Sequence, residues 1–187
     1  MTKINFMTLS VASTPNKKQL IQLILIALEK ELQQAINAAN EAHAAAVDDQ
    51  SVAETQYDTL AIEASYLAEG QSRRVTEFQN SIDAFKKLDE FLASKALTYI
   101  DKHSSTELRA VCALGSLVQL AADEKANHWF FMAPAAGGFR CELAQQKITV
   151  ITPKSPMGMA IIGKQPDDDI EVMLGANKLE DYIAALK

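Results

Sequence analysis

The sequence predicts an α+β protein: an N-terminal antiparallel α-helical coiled-coil hairpin joined to a C-terminal α+β domain. Three observations predict it. Between Asn16 and Leu92 the chain holds one glycine, Gly70, and no proline, whereas after Lys102 it holds six glycines and four prolines. Apolar residues in the first stretch recur in steps of three and four, the period of a packed helix. In the second stretch, short β-branched runs are separated by turn residues. The expected organisation is an N-terminal arm over 1–15, a hairpin domain over 16–92, a linker over 93–106 and a compact domain over 107–187.

The first helix starts at Pro15 and Asn16, a natural entry signal. Ile21, Leu25, Leu28, Leu32, Ala35, Ala39, Ala42 and Ala46 then follow a 4-3-4-3-4-3-4 spacing. That is a heptad seam, the mark of one helix winding on another. The seam begins with Leu and Ile and ends in alanine, and small side chains let helix axes approach closely. About 30 residues at ~1.5 Å each give a rod roughly 45 Å long.

Val47 to Ser51 is the expected connection, so short that the helices must run antiparallel. Ser51 suits the N-cap of the second helix, and Glu54 stands where a capping box wants it. Ala53, Tyr57, Leu60, Ala64 and Leu67 would form the second seam, with Phe78, Ile82 and Phe85 continuing it. The tip therefore carries Asp48, Asp49 and Glu54 at its narrow end. In isolation, Asp48 and Asp49 read equally as a solvated turn.

The second half reads as strands over 115–122, 127–133, 139–144, 147–152 and 169–174, forming a bent antiparallel sheet. Gly137 and Gly138 mark a turn between strands. Residues 155–164, SPMGMAIIGK, read as one short helix. Ser155 caps it, Pro156 takes the first helical position and Gly163 supplies a left-handed stop. The ending KLEDYIAALK reads as a helical turn or two. Trp129, Phe130 and Phe131 are consecutive, so in a strand they cannot share a face. At least one ring is then exposed or covers a neighbour.

Bulk properties narrow the function. Apolar residues make up 48% of the 187, enough for a core. Asp and Glu number 24 against 18 Lys and Arg, a net charge of −6. An acidic chain is ill suited to bind bare nucleic acid by itself. The two cysteines, Cys112 and Cys141, and three histidines show no metal-ligand or redox spacing. No apolar run is long enough to span a bilayer, so a cytoplasmic protein with no membrane partner is expected.

The layout resembles the Gre family of bacterial transcription elongation factors, in which a coiled-coil hairpin precedes an FKBP-like domain. Two stretches carry the resemblance. In DDQSVAETQYDTLAIEASYLAEGQSRR, acids are followed by Tyr57, then by Glu69, Gly70 and Arg73. SPMGMAIIGKQPDDDIEV is similar to the family's Ser-Pro, apolar, Gly-Lys and acidic run. The tip departs from cleavage-active members, which have Asp and Glu three apart followed by Asn. Here Asp49 and Glu54 are five apart and that Asn is missing.

The resemblance implies that bacterial RNA polymerase is the partner and that the hairpin enters its secondary channel. Asp48, Asp49 and Glu54 would complete the polymerase's catalytic metal site. Asp49 and Glu54 would hold a Mg2+ only in that complex, since Mg2+ takes hard oxygen ligands and few protein carboxylates. Nascent RNA would be met only there. Tyr57, Arg73, Arg74, Ser155, Pro156, Gly163 and Lys164 would be partner-binding, although Arg73 and Arg74 read equally as surface charges. The protein would then not itself be an enzyme, but would stimulate the polymerase's own nuclease on backtracked transcripts. One alternative is a channel-binding regulator without cleavage activity. Another is an FKBP-type peptidyl-prolyl isomerase, which would need a concave aromatic pocket from a half containing a single Trp.

Overall fold

A computed structural model describes residues 14–47, 59–99, 110–123, 125, 127–175 and 177–187. Among the described residues, two long helices come first, α1 (Lys17–Val47) and α2 (Thr59–Tyr99). Six strands and one short helix follow among them. They are β1 (Leu117–Leu120), β2 (His128–Met132), β3 (Arg140–Leu143), β4 (Gln146–Ile151), α3 (Pro156–Ile161), β5 (Asp169–Leu174) and β6 (Asn177–Leu186). The architecture is α+β. The chain divides into two compact units, one holding α1 and α2 (residues 18–105, with 134–136) and the other holding the strands and α3.

At 1.5 Å per residue, the 31 residues of α1 span about 46 Å and the 41 of α2 about 62 Å. α2 runs on through residues 93–99, where the composition suggested a linker. Buried side chains form a stripe on each helix. On α1, among the described side chains, they are Leu20, Ile21, Ile24 and Leu28, then Ala35 and Ala42. Leu25, expected on the seam, is half-buried, and Ile24 takes its place.

On α2 the buried residues Ile82, Phe85 and Leu88 continue a half-buried series, Ala68, Gln71, Val75 and Phe78. Leu67, expected on the seam, is 56% exposed. The stripe runs through Ala68 and Val75, one position later. Counting back from Phe78 in heptad steps allows either Val75 or Arg74, and the apolar Val75 takes the inward site while Arg74 stays in water. Val47, expected to open the connection, is the last residue of α1, and the rest of the expected connection, 48–51, and the Ser51–Glu54 capping box lie outside the described residues.

The sheet has the order β3-β4-β2-β1-β6-β5. It is mixed rather than antiparallel, because β2 and β4 pair in parallel. After β2 the chain turns at Gly137 and Gly138 and returns as β3, which ends up two places away. β4, joined to β3 in an antiparallel hairpin, then fills the vacant place between β3 and β2.

The C-terminal run is strand β6, not helix. It pairs antiparallel with both β1 and β5. Leu, Ala, Glu and Lys favour helix locally, but here a strand satisfies the hydrogen-bonding edges of two neighbours. Its accessibility alternates, with Leu179, Asp181 and Ile183 more covered than Lys178, Glu180 and Tyr182.

One core gathers Val118, Leu120, Met132, Ile151, Ile161, Ile170 and Ile183 beneath α3. On the opposite sheet face Leu117, Trp129, Phe131, Ile148 and Val150 are buried in register. The aromatic trio splits accordingly. Trp129 and Phe131 face one way, while Phe130 packs against the α3-side core, its ring centroid 4.7 Å from that of His128. The Trp129 indole donates to the buried Gln146 Oε1 at 3.2 Å.

Candidate functional site

Four of the expected partner-binding residues build the ends of α3. β4 ends at Ile151, and the Thr152 carbonyl accepts from both the Ser155 backbone N–H (2.9 Å) and the Ser155 hydroxyl (2.8 Å). Ser155 Oγ in turn accepts from the Gly158 N–H at 3.1 Å, which caps the helix. Pro156 is the first helical residue, where its missing N–H costs nothing.

Gly158 carries a demand the sequence reading missed. A Cβ there would stand 1.9 Å from the Thr152 carbonyl oxygen. The helix can therefore press against the end of β4 only because this side chain is absent.

The other end is fixed differently. Gly163 has φ +79°, the left-handed conformation expected of a helix stop. Its N–H donates to the Cys112 carbonyl (2.9 Å), and the Cys112 N–H donates to the Lys164 carbonyl (2.8 Å). Residues 112 and 163–164 thus form a small backbone bridge. Burial pushes the Cys112 thiol up to about 11, with a Ser116 hydrogen bond opposing it, so this cysteine is a packed apolar group rather than a nucleophile.

α3 is left as a ledge with an open outer side. Met159 and Ile162 are exposed upon it, 62% and 42%. Beside it is a groove of about 700 Å³ lined by Met159, Lys164, Asp169, Glu171, Asp181 and Tyr182, among others. Lys178 bridges Glu171 at 3.0 Å and Glu180 at 2.5 Å, and these bonds raise the lysine pKa and lower that of Glu180. Exposed methionine and tyrosine with an acidic rim suit a protein surface carrying basic side chains. Trp129 does not line this groove, and the residue is 3% exposed.

Arg73 and Arg74 are both engaged within α2. Arg73 pairs with Glu69 one turn back at 2.7 Å, with both side chains exposed. Arg74 reaches Gln71 at 3.4 Å and lies 5.9 Å over the Phe78 ring. The remaining expected site residues, Asp48, Asp49, Glu54 and Tyr57, lie outside the described residues. Among the described residues, no three His, Cys, Asp or Glu side chains are grouped to hold a metal, and no helix is long and apolar enough to cross a membrane.

No protein-family profile and no curated protein matches the chain. Solved structures do. The GreA factor homolog 1 (Gfh1) of Thermus thermophilus aligns over 93% of this chain and 96% of its own, at 17% identity and a TM-score of 0.32. Gfh1 of Thermus aquaticus aligns over 91% and 93%, at 18% identity and a TM-score of 0.33. A further structure of the transcription factor Gfh1 aligns over 93% and 94%, at 16% identity and a TM-score of 0.34.

Proposed function

We propose that this chain is a Gre-type regulator of bacterial RNA polymerase. The helix pair is its probe into the secondary channel, and α3 with its groove is its docking ledge outside. The observation that carries this is the fading of the α1 stripe. Among the described side chains of α1, Leu20, Ile21, Ile24 and Leu28 are buried at one end, and the small Ala35 and Ala42 toward the other. Small seam residues let two helices narrow toward the acid-bearing segment. A thin rod ending in carboxylates is what a pore leading to a metal site would admit.

In this reading Asp49 and Glu54, with Asp48 beside them, lend oxygens to the weaker of two polymerase Mg2+ sites. Two metals stabilise the attacking and leaving oxygens of an in-line displacement, and added carboxylates raise occupancy of the second. Tyr57 would pack at the base of the tip. The reaction is then the polymerase's own hydrolysis of a backtracked transcript. Outside the channel, Ser155, Pro156, Gly163 and Lys164 act by holding α3 in place.

The test is a stalled, backtracked polymerase with purified protein and Mg2+. Shortened RNA is expected, and Asp49→Ala with Glu54→Ala should abolish it while polymerase binding persists. A second reading follows from the five-residue spacing of Asp49 and Glu54, where cleavage-active Gre factors have three. In that case the tip occupies the channel without completing the metal site. Displacement of a cleavage-competent factor with no RNA shortening would select this reading, and failure to bind polymerase at all would sink both.

A further inference from the structure

The stretch FRCEL, residues 139–143, is complementary to itself. Read outward from Cys141, the cation Arg140 on one side answers the carboxylate Glu142 on the other, and Phe139 answers Leu143. This stretch carries β3, the last strand of the sheet on its side. Among the described residues, no strand pairs with its outer edge.

The hairpin fixes which groups face that edge. The Phe139 carbonyl accepts from the Val150 N–H at 2.8 Å, and bonded pairs alternate with unbonded ones along an antiparallel ladder. Cys141 and Leu143 therefore bond to Ile148 and Gln146 of β4, while the N–H and C=O groups of Arg140 and Glu142 point away to the free edge. The side chains divide too. Arg140 and Glu142 are exposed on the α3-facing side, in a groove of about 820 Å³ that His128 and Lys147 also line. Among the described residues neither makes an ion pair. Phe139, Cys141 and Leu143 lie on the opposite face, each half-buried.

A second antiparallel strand can join this edge only in a register that matches its outward groups. For two copies of β3 related by a two-fold axis, the register is centred on Cys141 or on a neighbour, Arg140 or Glu142. Centring on Arg140 sets Arg140 against itself, and centring on Glu142 sets Glu142 against itself; like charges directly opposite repel. Centred on Cys141, each Arg140 exchanges both backbone bonds with the second copy's Glu142, so cation lies opposite carboxylate. Lys147, Glu142 and the second copy's Arg140 then stand in one row, with the carboxylate between two cations. On the other face, Phe139 meets the second copy's Leu143.

We propose that the β3 edge is a self-association surface, on which a second copy of this chain pairs antiparallel about Cys141 and continues the sheet. The contact is isologous, the same patch on both copies. A strand this short buries less than the roughly 1,200 Å² of a standard interface, so the dimer is weak and reversible. The proposal does not rest on polymerase binding.

Sedimentation velocity of the full-length protein at rising concentration should show a reversible monomer–dimer equilibrium. Arg140→Glu and Glu142→Arg, each alone, should weaken it by roughly tenfold or more, because like charges then face each other. An equimolar mixture of the two variants should associate again, since every opposed pair regains opposite signs. Far-ultraviolet circular dichroism checks the fold of each; should Glu142→Arg, which also faces Lys147, lose the wild-type spectrum, Arg140→Glu and the following crosslink decide. Facing residues of an unbonded pair stand about 4.5 Å apart at Cα, within disulfide range. Diamide, which takes up the two thiol protons and two electrons, should link wild type through Cys141 and leave Cys141→Ser unlinked. A wild type that stays monomeric at millimolar concentration would overturn the proposal. So would folded variants that associate as wild type does, a mixture of folded variants no better than its parts, or a crosslink that is absent or survives Cys141→Ser.

Discussion

At the scale of single residues, two positions make sharp demands on their surroundings. Gly158 sits where a methyl group would collide with the Thr152 carbonyl, and that carbonyl already holds Ser155. Gly158→Ala should therefore cost about 1–3 kcal/mol, the usual penalty of overpacking, read from urea unfolding. His128 is the second. Burial holds its imidazole below the ordinary value of 6.5; the Asp123 carboxylate opposes the shift, while Lys147 and Arg140 add to it. The unfolded chain thus binds this proton more tightly than the folded one. The stabilising contribution is complete above about pH 6.5 and falls away as acid protonates the site. Melting temperatures from pH 7 down to pH 5 should drop less steeply for His128→Gln than for wild type. Residue identity foretold the roles of Ser155, Pro156 and Gly163, because caps and left-handed stops are local chemistry. It did not foretell the need at Gly158, which exists only because β4 ends beside α3.

At the scale of elements, the β3–β4 hairpin is held by an unusual turn. Ala144 and Gln145 have φ of +51° and +63°. Both central residues of this two-residue connection are left-handed, which is the geometry that Asn-Gly adopts with least strain. Ala144→Asn combined with Gln145→Gly should stabilise the protein by about 1 kcal/mol, measured as a shift in denaturant midpoint at constant slope. Nothing in an Ala-Gln pair signals such a turn, and Ala144 itself read as strand, yet the strands flanking it were legible as short runs over 139–144 and 147–152. β6 is the opposite case. Its composition pointed to helix, and pairing with both β1 and β5 made it a strand. The α2 seam shows a milder form of the same thing. Its periodicity was plain, but which of two adjacent residues faced inward was settled by packing, with Ala68 in and Leu67 out.

At the scale of the whole molecule, the helical unit has few large anchors. Phe85 is fully buried, as Ile82 and Leu88 nearly are on α2, whereas the buried residues described in the far part of α1 are the alanines Ala35 and Ala42. Phe85→Ala should cost about 3–5 kcal/mol, followed by ellipticity at 222 nm during chemical denaturation. The sequence by itself determined the α+β class, two long helices with heptad stripes, five of the six strands and the capped helix α3. These follow from periodicity, turn residues and capping, all of which act within a few positions along the chain. Only the tertiary structure decided that β2 and β4 run parallel, that β6 closes the sheet between β1 and β5, and which charged side chains share a groove. Arg140, Lys147 and His128 come from three strands, and no local pattern links them. Strand order joins residues far apart in sequence through backbone hydrogen bonds and shared burial, so it depends on the chain as a whole.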